Sequence, residues 1–180
     1  VHVESGTDAE GLKRAARLGE LTFAALQTLP PHLSTPHKAF DRDLKDEIDA
    51  LAFVDDEYTV FGGRSNEGAI IVSRSANPVD FARQLACRVA NIVPVDDVSE
   101  AVRSVNSYTQ TIGIYPESLK TRLRDQLAWH GAQRLVSLGG AATLNQAPGP
   151  QDGIEPLRRM VKWIVDESGD EAALAAQALG

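Results

Sequence analysis

Cysteine and methionine are almost missing from this chain: Cys87 is the one thiol and Met160 the one methionine among 180 residues. A single thiol makes no internal disulfide, so the fold rests on its core rather than on covalent staples, and a reducing, cytoplasmic setting is expected. Long hydrophobic runs are lacking as well. No stretch reaches the about 18 consecutive apolar residues of a membrane-spanning helix, and no basic segment leads into an apolar one at the start, so neither a membrane span nor a signal peptide is expected. Positive charge is in deficit, with 18 Lys and Arg against 25 Asp and Glu and a formal net charge of −7. Nucleic acid and anionic membranes need clustered cations to neutralise their phosphates, which makes both poor partners for this chain. The chain has no G-x-S-x-G elbow, no G-x-G-x-x-G dinucleotide fingerprint and no histidines at metal-binding helical spacing.

The chemistry-bearing residues that remain have structural explanations beside the functional ones. Cys87 stands in QLACRV between apolar neighbours, which suits a small core residue better than a reactive thiolate. His32 and His37 share a proline-rich loop, poor geometry for a zinc ion without further ligands. His130 falls at a predicted helix C-terminus, where the helix dipole favours it. The acidic clusters at Asp55, Asp56 and Glu57 and at Asp96 and Asp97 read as solvated loops or caps.

What is present is an alternation. At 43% hydrophobic and 24% charged residues the composition is that of an ordinary globular chain, long enough to bury a sizeable core. Residues 89–140 read VANIVPV, DDVSEAVRSVNSY, TQTIGIY, PESLKTRLRDQLAWHG and AQRLVSLGG, so three β-rich runs alternate with two helix-length segments. That is a β-α-β-α-β pattern, and strands joined by such crossovers lie parallel, which predicts an α/β fold with the three strands side by side in one sheet. Asp97 and Glu100 form a capping box for the first helix, with Val98, Ala101, Val102 and Val105 on its buried face. The second opens at Pro116, buries Leu119, Leu123 and Leu127, and ends at Gly131.

Around this core the spacing predicts further elements. A helix over residues 8–29 is capped by Thr7 and Glu10; Leu12, Ala16, Phe23 and Leu26 give it one apolar side and Leu18, Leu21 and Ala25 another, so burial on more than one face is expected. A shorter acidic helix follows Asp41, with Leu44, Ile48 and Leu51 on one face. EYTVFGGRSNEGAIIVSRS is a hairpin around a glycine-containing loop, and Asn77-Pro78 a turn. Past Gly139 and Gly140 lies a long Pro- and Gly-rich loop, then a helix over residues 156–166 and a frayed or helical tail over 167–180. Gly139 and Gly140 follow a strand directly, which fits both a plain turn and a backbone approach to a ligand at the carboxyl edge of the sheet. The opening VHVES reads as a strand, and with no initiating methionine the chain is expected to begin inside a longer protein.

On these residues a family resemblance enters. The Y-x-Q-T-[IV]-G run at Tyr108 to Gly113, the G-x-Q-R run at Gly131 to Arg134, and Asp152-Gly153 before the last helix resemble the C-terminal part of the LuxC-type acyl-CoA reductases, a branch of the aldehyde dehydrogenase superfamily. The resemblance implies that residues 1–166 are the C-terminal part of an aldehyde dehydrogenase-like catalytic domain. It also implies reduction of a fatty acyl thioester, on CoA or on a protein, to an aldehyde with NADPH, through a cysteine thioester. That cysteine, and the cofactor-binding half, would fall before Val1, so no catalytic residue is expected in this chain. Gln110, Thr111, Gly139, Gly140, Gln151 and Asp152 are the expected substrate- or cofactor-binding residues, and a homo-oligomer the expected state. Two positions depart from the pattern: Gln84 stands nearest to where the superfamily carries a glutamate, and Gln151 where relatives often have histidine. A stand-alone binding module and a fragment of an ordinary NAD(P)-dependent aldehyde dehydrogenase are the other readings.

Overall fold

β-Branched residues crowd one five-residue run, Ala69–Ser73, and that run is buried along its whole length. The computed structural model describes residues 1–141 together with 160–162 and 164. In chain order its elements are β1 (His2–Val3), α1 (Ala9–Thr28), α2 (Arg42–Ala50), β2 (Tyr58–Gly62), β3 (Ala69–Ser73), β4 (Val89–Pro94), β5 (Thr111–Ile114), α3 (Glu117–Trp129) and β6 (Arg134–Ser137), with short 3-10 turns at Leu51–Phe53, Ala82–Gln84 and Val98–Ser104. They fall into two compact units, Val1–Val105 and Asn106–Gly180. The loop after Gly140 expected from its prolines, the helix over 156–166 and the tail over 167–180 lie outside the described residues, save for the few residues named above.

In the first unit the strand order is β1-β4-β3-β2. β2 and β3 form the expected antiparallel hairpin, while β4 runs parallel to β3 and to β1. Successive residues of a strand point to opposite faces, and β3 uses both. Ala69 and Ile71 pack with Leu44, Ile48 and Leu51 around α2, and Ile70 and Val72 with Ala15 of α1 and Ile92. The sheet is thus sandwiched between helices, the arrangement that buries a parallel sheet on both sides.

α1 approaches the sheet through small residues. Gly11, Ala15 and Gly19, four apart, are its buried row. A Cβ on Gly11 would lie 2.2 Å from the Gly6 carbonyl oxygen, and one on Gly19 2.5 Å from Val72 Cγ2, so no larger side chain fits this contact. Leu12, Ala16, Phe23 and Leu26 are half-buried beside the row, but Leu18, Leu21 and Ala25 are exposed, so the expected second buried face is not formed. The cap also differs. The Asp8 carboxylate, not Thr7, accepts from Gly11 N at 2.7 Å, because Thr7 N and Oγ1 donate to Asp96 at 2.7 and 2.9 Å. Asp96, just past β4, takes the threonine away from the helix end, and Glu10 pairs with Lys13 instead.

The expected row of three neighbouring strands divides between two sheets. β4 belongs to the four-stranded sheet, whereas β5 and β6 pair parallel in a second one. The connection that fails as a crossover is residues 96–108. Its Asp97 and Glu100 capping box forms as expected, but the turn that follows is 3-10, with Val102 its buried residue. Asn106 then reverses the chain: its Oδ1 accepts from Tyr108 N at 2.9 Å and its carbonyl from Thr109 N at 2.9 Å. Seven residues between cap and turn are too few for the several cooperative turns of a stable α-helical face.

Between β3 and β4 the chain is fixed by one buried amide. Asn91 Nδ2 donates to the Ile71 carbonyl and to Ser73 Oγ, each at 3.1 Å, and its Oδ1 accepts from Val79 N at 3.0 Å. Both Asn91 and Ser73 are buried. Removing the amide strands these groups away from water, at about 1–3 kcal/mol for each buried group left without a partner. Asn91→Ala is therefore expected to lower the unfolding free energy by about 3 kcal/mol in urea titrations, more than an exposed substitution such as Arg103→Ala, which should stay within about 0.5 kcal/mol.

Candidate functional site

The second unit holds all six residues expected to bind a ligand, four of them among the described residues, and its geometry decides which of those four meet. α3 joins β5 to β6 as the expected parallel crossover, with Leu123 and Leu127 buried and Leu119 half-buried. The helix ends in a Schellman motif. Gly131 N donates to the Ala128 carbonyl at 3.0 Å and Ala132 N to that of Leu127 at 2.9 Å, with Gly131 at φ +107°. A Cβ on Gly131 would also lie 2.8 Å from Ser107 N.

The two motifs are occupied with joining the unit together. Gln133 Nε2 donates to the Ser107 carbonyl at 3.0 Å and Gln133 N to that of Thr109 at 3.2 Å. Arg134 Nη1 donates to the Ala141 carbonyl at 3.0 Å. Gly131, Gln133 and Arg134 thus tie the end of α3 and the start of β6 to the segments around them. In the other motif, Tyr108 leaves its ring exposed, and Thr111 opens β5 in register with Arg134.

Gln110 and Thr111 sit at the amino edge of the two strands, Gly139 and Gly140 beyond their carboxyl edge. Four residues of strand, about 10 Å at the usual rise, separate the pairs, so they do not converge on one small pocket. Gln151 and Asp152 lie outside the described residues. The carboxyl edge is the more built of the two. Gly139, at φ +86°, reverses the chain so that Gly140 N donates to the Ser137 carbonyl at 2.8 Å, which is a tight turn. Ser137 Oγ donates to the Glu117 carboxylate, and Lys120 Nζ stands 2.8 Å from Glu117 Oε2. The hydrogen bond from Lys120, then that from Ser137, holds the Glu117 carboxyl below its ordinary range. These groups can offer a polar ligand an ammonium, a hydroxyl and the open turn after β6.

Elsewhere the candidates disperse. Cys87 is half-buried rather than part of the core, because it stands in a left-handed bend, φ 53°, with Arg88 at φ 70°, just before β4. The Arg88 guanidinium turns to the Leu26 carbonyl at the end of α1. His130 is the C-cap of α3, as its position in the sequence suggested. His2 Nε2 meets Ser104 Oγ at 3.2 Å, and burial lowers its pKa. Among the described residues no three His, Cys, Asp or Glu side chains gather as a metal site, and no helix is long and apolar enough to cross a membrane. Sequence reasoning missed one grouping: Asp43, Asp46 and Glu47 on one side of α2 share an open acidic recess with Gln84. The i, i+3, i+4 spacing of its acids was visible, but Gln84 joins them only through the fold.

Fold and site together define an α/β chain of parallel strands with a helical crossover and no assembled catalytic cluster among its described residues. Residues 33–163 match the family model described as Acyl-CoA reductase (LuxC), and the chain belongs to that family. It is similar to long-chain acyl-protein thioester reductase 2 of Photobacterium leiognathi, 34% identical over 112 residues, covering 62% of this chain and 23% of that protein. The long-chain acyl-protein thioester reductase of Aliivibrio fischeri is 29% identical over 154 residues, 77% of this chain and 31% of that protein, and that of Photobacterium phosphoreum 39% identical over 88 residues, 48% and 18%. The chain thus spans less than a third of these relatives.

If Gly131 serves the joint and Gly139 only the turn, alanine separates them. Gly131→Ala meets both a left-handed φ and crowded backbone and is expected to cost about 2 kcal/mol or more, whereas Gly139→Ala, with no atom within 4 Å of its Cβ, is expected to cost about 1 kcal/mol. Chemical denaturation of the two variants makes the comparison.

Proposed function

We propose that this chain is the C-terminal portion of an acyl thioester reductase that converts a long-chain acyl group, carried on CoA or on a protein, to a fatty aldehyde. The observation that carries the reading is the family match over residues 33–163, with relatives named long-chain acyl-protein thioester reductases of which the chain spans less than a third. In this reading residues 1–166 belong to an aldehyde dehydrogenase-like catalytic domain of a cytoplasmic homo-oligomer.

The nucleophile is a cysteine ahead of Val1. Its thiolate attacks the thioester carbonyl, and the carrier thiol leaves, so that the acyl group passes from one sulfur to another. Sulfur suits the step because it is both a good nucleophile and a good leaving group. Cys87 is not that residue, since the bend that holds it turns Arg88 away toward α1. This chain contributes the turn after β6 and the Glu117, Lys120 and Ser137 cluster as one wall of the thioester site, with Gln151 and Asp152 as further contacts, while Gln110 and Thr111, at the opposite strand edge, meet a separate part of the substrate or cofactor.

NADPH, the implied hydride source, finds no cradle among the described residues. The turn between β1 and α1 is the place where a phosphate would meet helix amides, but Asp8 already takes the Gly11 amide and Asp96 the Thr7 amide, and these two carboxylates repel a phosphate. The cofactor is therefore assigned to the polypeptide ahead of Val1.

The test compares two chains. The 180 residues alone are expected to oxidise no NADPH with a long-chain acyl-CoA, and a chain extended upstream through a cysteine is expected to oxidise it and to take up acyl label on that cysteine. An extended chain that stays inert and unlabelled overturns the reading.

A further inference from the structure

We draw no further inference here: the strongest candidate, the exposed Tyr115 and Leu138 side chains at the carboxyl edge of β5 and β6, belongs to the site already described, and nothing among the described residues shows what covers it.

Discussion

Asn91 is the polar group at the middle of the four-stranded sheet, and the way its amide is satisfied sets the path of the chain around it. It reaches across to β3 through the Ile71 carbonyl and Ser73 Oγ, and out to the connection through Val79 N. A buried amide has few ways to be satisfied, so strand register and connection are fixed by the same group. Val79 and Phe81 are thereby seated on the α2 side of the core, where Leu44, Ile48 and Ile71 meet them. The opposite face needs no such device. There the small residues Gly11, Ala15 and Gly19 let α1 come close enough for its backbone to pack on β3 and β4, and dispersion at that distance replaces the larger apolar side chains the helix turns outward.

α1 thus buries small residues and leaves Leu18 and Leu21 exposed. Among the described residues the second unit is built differently, with β5 and β6 paired parallel and α3 packed against both through Leu123 and Leu127. A two-stranded sheet needs such a helix against it to be stable.

The site was less legible than the fold. Gly131, Gln133 and Arg134 are recognisable as a motif, yet their atoms are committed to backbone partners at Ala128, Ser107, Thr109 and Ala141. A motif marks positions where alternatives are costly, and a joint between helix and strand is as demanding as a ligand contact. Conversely, Glu117 and Ser137 are 20 positions apart and carried no signal, and only the pairing of β5 with β6 brings the end of one strand beside the helix that leaves the other.

The sequence alone determined the local elements: the α2 face of Leu44 and Ile48, the hairpin around GGRSNEG, the Asp97 and Glu100 box, and α3 from Pro116 to its glycine stop. These depend on groups within a few residues of one another, whose spacing is written in the chain. Tertiary structure decided the rest. It chose which apolar side of α1 is buried, because two sides were equally apolar and only contact with β3 and β4 selects the one that approaches closest. It moved the helix cap from Thr7 to Asp8, because Asp96 arrives from β4, 89 residues away. It divided the strands between two sheets, because hydrogen-bonding partners of a strand are set by where other strands lie, and no periodicity within the strand records that.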